Sequence, residues 1–304
     1  VVYAASFASA TAFVFSDAAV FGALPALIGD QRLPAANGLL TSIQSAALMI
    51  GPALGGLLAT TIGAASAVWF DVASFFIAAA VLGAIRAPFS LHRVPEPRSA
   101  GLGEQVRRGL RFIRQERTIL TLIVIGFGNS FAFGVMLGLV VPYAVDRLGV
   151  PDNSVRLGLL FTADALGALL AGLTFARIYA RDRIRWLTPL CLGVSAALLV
   201  LLTANTSYAL ALVLTIAFAF AVSTTISVGI TYRQMASPDE LRSSVNVVGR
   251  MVAWGGQPFG AAVGGIVAQT AGVPTALGMA AGVMTASAIG AVVLLGHRRQ
   301  GALA

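Results

Sequence analysis

The sequence predicts an all-α membrane protein. Three observations carry that prediction: an excess of apolar residues, their gathering into stretches long enough to cross a bilayer, and arginines placed in alternate loops. Hydrophobic residues make up 58% of the 304 positions and charged residues only 11%, where a soluble domain carries about 25% charged residues. The mean hydropathy is +0.87. A net charge of +8 would suggest nucleic acid as the partner of a soluble chain. Here the charge lies between apolar stretches, so a lipid bilayer is the expected partner and nucleic acid is not.

Nine stretches qualify as spans, at 1–28, 38–61, 64–85, 118–142, 155–176, 186–203, 207–231, 245–269 and 276–295. A helix needs about 20 predominantly apolar residues to cross a hydrocarbon core of roughly 30 Å. All twenty basic residues are arginine. Arg32, the run from Arg86 to Arg117, the cluster Arg177, Arg181, Arg183 and Arg185, then Arg233, Arg242, Arg250, Arg298 and Arg299 fall on one side of the nine crossings. Only Arg147 and Arg156 fall on the other. The positive-inside rule makes the first side cytoplasmic, with a cytoplasmic C-terminus. Val1 already lies inside an apolar stretch, with no initiator methionine or charged leader before it. The expectation is therefore an N-terminally truncated chain, nine helices of twelve, with three more upstream returning the N-terminus to the cytoplasm. The lone Cys191 implies neither a disulfide nor a metal site.

An internal repeat supports twelve. A shift of 209 positions sets Asp30 on Asp239, Asn37 on Asn246, Gly51 on Gly260, Gly55 and Gly56 on Gly264 and Gly265, and Gly63 on Gly272. Positions four apart share a helix face, so Ala47, Gly51, Gly55 and Ala59 form one stripe of small side chains, and Gly256, Gly260, Gly264 and Ala268 form its twin. Such stripes let membrane helices approach closely, and parallel repetition of six-helix halves is a transporter architecture. The chain divides accordingly into 1–88, the last three helices of an N-terminal bundle, 89–117, a cytoplasmic central loop, and 118–304, a C-terminal six-helix bundle. Within the loop, 101–117 reads as a basic amphipathic helix. Val106, Leu110 and Ile113 line one face and Arg107, Arg108, Arg111 and Arg114 the others, a pattern suited to an anionic membrane surface.

At Leu24-Pro25-Ala26-Leu27, Leu33-Pro34-Ala35-Ala36-Asn37, Gly51-Pro52-Ala53-Leu54-Gly55-Gly56, Asp71-Val72-Ala73-Ser74-Phe75-Phe76, Gly109-Leu110-Arg111-Phe112-Ile113 and Ser237-Pro238-Asp239-Glu240-Leu241-Arg242, the chain resembles the major facilitator superfamily. The likeness is to bacterial exporters similar to the enterobactin exporter and the macrolide efflux pumps, and it extends over the whole chain. Its sharpest item is the second span, which is similar to the antiporter motif through Gly38, Gly51, Pro52, Gly55 and Gly56, with Ala47 where glycine is usual. Gly260, Gly264 and Gly265 are the repeat counterparts. The resemblance implies two bundles rocking about a midplane site, export rather than import, and a proton gradient as energy source with no cofactor.

Acids within spans are the sharpest functional signal, since a carboxylate at mid-bilayer costs on the order of 3 kcal/mol on insertion scales. Asp17 is the most deeply placed and is the leading proton or cation site. Asp71 and Asp164 read equally as relay groups or as interhelical hydrogen bonders. Asn129 and Ser130 are candidate cavity hydrogen bonders, with hydrogen bonding between helices the commoner fate of such residues, and Arg250 either snorkels to the surface or pairs with a span acid. No nucleophile–base set, phosphate loop or metal-ligand spacing appears, so no enzyme is expected. The expected function is proton-coupled efflux of a hydrophobic or amphipathic small molecule, such as a drug or siderophore. The expected protein is a monomeric, multi-pass antiporter of the bacterial inner membrane. An uptake porter, or a truncated membrane protein without transport, is the alternative.

Overall fold

Gly63 and Gly272 end two long helices in nearly the same backbone state, φ 86° with ψ 147° and φ 88° with ψ 157°. That positive-φ region costs glycine little and other residues much. The two glycines stand 209 positions apart, and at each a new helix begins one residue later. The repeat read in the sequence is thus present in the backbone.

In the computed structural model the described residues are 12, 16, 20, 23–25, 27–84, 102–151 and 154–296. The helices among them are α1 (Leu33–Ile62), α2 (Ala64–Ala84), α3 (Leu102–Gln115), α4 (Arg117–Leu148), α5 (Val155–Ile178), α6 (Ile184–Ala204), α7 (Tyr208–Ala236), α8 (Asp239–Ala271) and α9 (Val273–Gly296). Among the described residues, six stretches are long and apolar enough to cross a membrane: Asp30–Gly51, Arg117–Leu148, Val155–Ile178, Arg181–Ala204, Tyr208–Ala236 and Val273–Gly296. The span expected at 1–28 lies mostly outside the described residues. The span expected at 64–85 is the helix α2. The one expected at 245–269 lies within α8, where Arg242, Asn246, Arg250 and Gln257 dilute the apolar character.

Helices overrun several of the expected ends. α4 continues through Pro142 to Leu148, and Pro189 and Pro258 are likewise internal to α6 and α8. A proline removes one hydrogen bond from the ladder, but packed neighbours in a membrane bundle re-satisfy the freed groups. α7 runs past the expected end at Thr231 to Ala236, which carries Arg233 and Gln234 inside the helix.

α4 and α8 form the main seam of the C-terminal bundle. α9 packs against α6 and α4, α5 and α6 each pack against α7, and α1 docks on α5 and α7. Glycine makes the α4–α8 seam. A Cβ on Gly256 would meet the carbonyl oxygen of Phe127, one on Gly260 that of Phe131, and one on Gly134 that of Gln257. Backbones in such contact gain dispersion that lipid tails, as apolar as leucine, do not otherwise drive. Tyr143, Phe175, Phe218, Leu199 and Met284 fill the interior, while Trp69, Phe75, Phe76, Leu173, Val213 and Ile289 face outward, as a bilayer-facing surface requires.

The bundle has two distinct ends. At one, Arg147 donates to the Thr203 carbonyl at 3.1 Å, Tyr208 to the Arg156 carbonyl at 2.8 Å, and Asn205 to the Tyr143 hydroxyl at 3.0 Å. At the other, arginine-rich end, Arg181 lies 5.9 Å from the Tyr232 ring and Tyr179 points its hydroxyl at the Met235 sulfur, 3.6 Å away. Burial pushes the Tyr179 phenol up to about 12, so it stays a donor.

α3 lies at the arginine-rich end, turned differently from the sequence expectation. Its docked face is Gly109, Phe112 and Ile113, with a Cβ on Gly109 lying 2.8 Å from that of Ser244 on α8. Val106 and Leu110 stay open. The helical period allowed either face, and the small Gly109 decided which one approaches α8. Glu104 pairs with Arg107 at 2.9 Å and Arg108 at 3.4 Å, and Arg107 foremost holds its carboxyl below the usual range.

Candidate functional site

α1 meets the C-terminal bundle along a polar stripe near the arginine-rich end. Asn37 donates through Nδ2 to the Thr231 hydroxyl at 2.9 Å and to Gln234 Oε1 at 2.5 Å, all three side chains buried. One turn further on, the Thr41 and Ser227 hydroxyls lie 3.5 Å apart. Ser42 donates to the Gly38 carbonyl at 2.9 Å and faces the Leu169 carbonyl at 3.5 Å. The i, i+4 spacing of Asn37 and Thr41 puts both on one face of α1. Ser227, Thr231 and Gln234 give α7 the matching face. Gly38 and Gly172 let the backbones of α1 and α5 approach until a Cβ on Gly38 would sit 2.5 Å from the Gly172 carbonyl. Asp30, just before α1, lies 3.9 Å from Arg242 of α8.

Beside this stripe a cavity opens between the halves, lined by Val20, Leu24, Leu40, Thr41, Gln44, Ser227, Ile230, Arg250 and Trp254 among others. It offers about 90 Å³ to the centres of water molecules. Since about 10–15 Å³ in that measure holds one water, there is room for a polar cluster or part of a solute. Arg250 stacks on Trp254, its guanidinium carbon 4.3 Å from the ring centroid. This is a cation–π contact.

A second, smaller cavity lies behind it between α4, α7 and α8, lined by Asn129, Ser130, Thr225, Gly229, Ile230, Arg233, Ala253 and Trp254 among others. Ile230 and Trp254 belong to both cavities. The small one offers about 20 Å³ in the same measure. Arg233 is 3% exposed and Asn129 fully buried. Nε of Arg233 and both polar atoms of the Asn129 amide have no hydrogen-bond partner. Leaving a buried polar group unpaired costs about 1–3 kcal/mol, more for a charge, so three orphaned atoms at one small cavity call for a ligand.

The expected site residues scatter across this geometry. Asp17 lies outside the described residues, and Asp71 is in α2 with a side chain outside them. Asp164 is half-buried midway along α5 and lines neither cavity. Asn129 and Ser130 line the small cavity and Arg250 the inter-half one. Of the stripe glycines, Gly38 packs on α5, Gly260 and Gly264 on α4, while Gly51 and Gly265 have open space. Pro52, Gly55 and Gly56 are in α1, with side-chain surroundings outside the described residues.

Arg233 and Gln234 were not singled out by the sequence reading, which took Arg233 as a loop charge beyond a span ending at Thr231. Their signal was the spacing of Thr225, Gly229 and Arg233, and of Ser227, Thr231 and Gln234, each a polar or small stripe in an apolar helix.

Residues 3–299 match the family model described as a transmembrane secretion effector. Among curated relatives, the chain is similar to "Multidrug efflux pump Tap" of Mycobacterium tuberculosis, 27% identical over 196 residues, covering 60% of this chain and 44% of the relative. It is 25% identical over 244 residues to the Tap of Mycolicibacterium fortuitum, covering 78% and 58%. It is also 28% identical over 172 residues to "Staphyloferrin B transporter" of Staphylococcus aureus, covering 55% and 40%. The chain spans about half the length of the curated relatives it matches. The family and these relatives point to a transporter and not to an enzyme.

Proposed function

The chain belongs to the transmembrane secretion effector family of the major facilitator superfamily, and on that footing we propose that the whole protein is a secondary active exporter of hydrophobic or amphipathic small molecules. It works by alternating access, driven by the proton gradient, and needs no cofactor. It acts as a monomer in a bacterial inner membrane, with the arginine-rich end and the C-terminus in the cytoplasm.

The observation that carries this reading is the inter-half cavity. Apolar walls of Val20, Leu24, Leu40 and Ile230 are set with a few polar groups, Thr41, Gln44, Ser227 and Arg250. Such a lining suits a greasy molecule with few hydrogen-bonding groups. The polar stripe from Asp30 to Ser42 closes the halves on one side of that cavity. Since that is the arginine-rich side, the conformation is the outward-facing one of the cycle, and the inward-facing state requires the stripe to part. The relatives named as multidrug efflux pumps support export as the direction. Asp17, in the first span, is the residue we assign to proton coupling, because burial and hydration in alternate states move an acid's pKa in opposite senses.

The test uses full-length protein in everted membrane vesicles with N-phenyl-1-naphthylamine, a neutral fluorescent amphiphile. Uptake into the vesicle lumen is expected on energisation and is abolished by a protonophore, and Asp17→Asn weakens its dependence on the gradient. Accumulation indifferent to the protonophore defeats the coupling assignment. Absence of accumulation by a correctly inserted protein defeats export of this compound class.

A further inference from the structure

We propose that the small cavity between α4, α7 and α8 is an acid-recognition subsite, in which Arg233, Asn129 and Ser130 hold one carboxylate, or a comparable small anionic group, of the exported molecule. The inference deepens the exporter reading and rests on it for what carries the acid, but not for the presence of an anion site.

Charge is the first argument. Arginine does not deprotonate in proteins, so Arg233 carries its charge into an almost fully enclosed position. A buried cation is tolerated when a counter-charge or hydrogen bonds compensate it. No ion pair or hydrogen bond engages its guanidinium among the described residues. The charged residue among the described lining of the neighbouring cavity is again an arginine, Arg250, stacked on Trp254. Neither cavity has an aspartate or glutamate among its described lining residues. The described walls thus lack the one kind of group that the arginine requires.

Geometry is the second. Gly229 and Gly249 make the space in which Arg233 lies: a Cβ on Gly249 would sit 3.1 Å from Arg233 Cδ and 3.3 Å from Nε, and one on Gly229 would sit 3.6 Å from Nη1. Arg233 is accordingly held between its own helix and α8. Around the same cavity, the Asn129 amide supplies a donor and an acceptor that are both unused, and Ser130 supplies a hydroxyl. A guanidinium fork with an amide N–H and a hydroxyl forms a donor set suited to a carboxylate, whose oxygens accept from several directions.

Size is the third. About 20 Å³ for water centres admits a single small group and excludes a whole drug-sized molecule. The remainder of such a molecule extends past Ile230 and Trp254, the residues shared with the inter-half cavity, into its larger space. The ligand class is therefore an amphiphile with an acidic terminus and an apolar or aromatic body. A free inorganic anion shares the recognised chemistry and is separated from it by experiment.

The test measures binding to the full-length protein in detergent by calorimetry, without gradient or flux, using naphthalene-2-carboxylate and its neutral analogue naphthalene-2-carboxamide. The wild type is expected to bind the carboxylate at least about tenfold more tightly, as charge-assisted bonds in a dry site permit. Arg233→Gln is expected to remove the preference, so that the two compounds bind alike. Asn129→Asp, which places a carboxylate inside the cavity, removes it too and keeps the inference open to refutation should the first variant fail to fold. Equal binding of the two compounds, absence of binding, or a preference that survives Arg233→Gln overturns the inference. Sodium chloride displacing the carboxylate at millimolar levels, where sodium gluconate does not, assigns the cavity to a free ion and overturns the substrate version. A protein that shows the preference but extrudes nothing retains the subsite and loses the exporter reading.

Discussion

Asn37 and Asn246 occupy the same position of the repeat, both buried, yet they do different things. Asn37 spans the gap to α7 with two hydrogen bonds, while Asn246 Oδ1 has no partner. Repetition in sequence placed both side chains on an inward face but did not set their partners, because the facing helix differs in the two halves. Asn37→Ala should therefore loosen the contact between α1 and α7 without harming the C-terminal bundle. Losing the two bonds costs on the order of 1 kcal/mol each, enough to raise local opening about thirtyfold. Hydrogen exchange of the full-length protein should show faster amides in the first three turns of α1 and the last three of α7, with α4 and α9 unchanged. Equal exchange in variant and wild type would mean that the asparagine does not hold the halves together. Arg233 was illegible for a related reason. Hydropathy places an arginine near a helix end in water by default, and only the neighbouring helices reveal that Gly229 and Gly249 enclose it.

Helices were easier to read than their faces. Order and approximate position followed from apolar runs, and the small stripe of α8 from four-residue spacing, because both are properties of one segment. The partner of a stripe is not. Gly256, Gly260 and Gly264 meet α4, whereas Gly51, the repeat mate of Gly260, has open space. A stripe records only its own helix, and the helix that faces it is a separate fact of the packing. The same asymmetry of information misdirected the face of α3. It also yields an internal control within α8. Gly260→Leu drives a side chain into the Phe131 carbonyl and should destabilise by about 1–3 kcal/mol or more through overpacking, whereas Gly265→Leu, adjacent and open, should be close to neutral. Thermal unfolding of the full-length protein, followed by the loss of its monodisperse chromatographic peak, compares the two directly. Similar losses for both variants would show that the α4–α8 approach does not limit stability.

At the scale of the molecule, the apolar runs and the arginine asymmetry were sufficient to read a helical, multi-pass membrane protein, since both are summed over many residues and survive errors at any one. The state of the transport cycle was not legible, because it depends on which inter-half contacts are formed at a given moment. In this structure they are formed at the arginine-rich end, from Asp30 with Arg242 through Asn37 with Gln234 to Gly38 with Gly172. Alternating access requires these contacts to break once per cycle, so a covalent tie across them should stop transport with the protein otherwise intact. Asp30 and Arg242 mark the place for such a tie, as their charged groups lie 3.9 Å apart at the seam and Asp30 is about half exposed. That distance separates side-chain ends, so cysteines at the two positions need a linker with the reach of the arginine side chain rather than a direct disulfide. The native Cys191 is buried and does not compete for the reagent. Treating an Asp30→Cys, Arg242→Cys double variant in everted vesicles with a bis-methanethiosulfonate linker should abolish accumulation of the fluorescent amphiphile, and reduction should restore it. Each single variant should be insensitive to the linker. Transport that continues after complete cross-linking would mean that the halves need not separate at this end, and the rocking mechanism would then have to be abandoned for this protein.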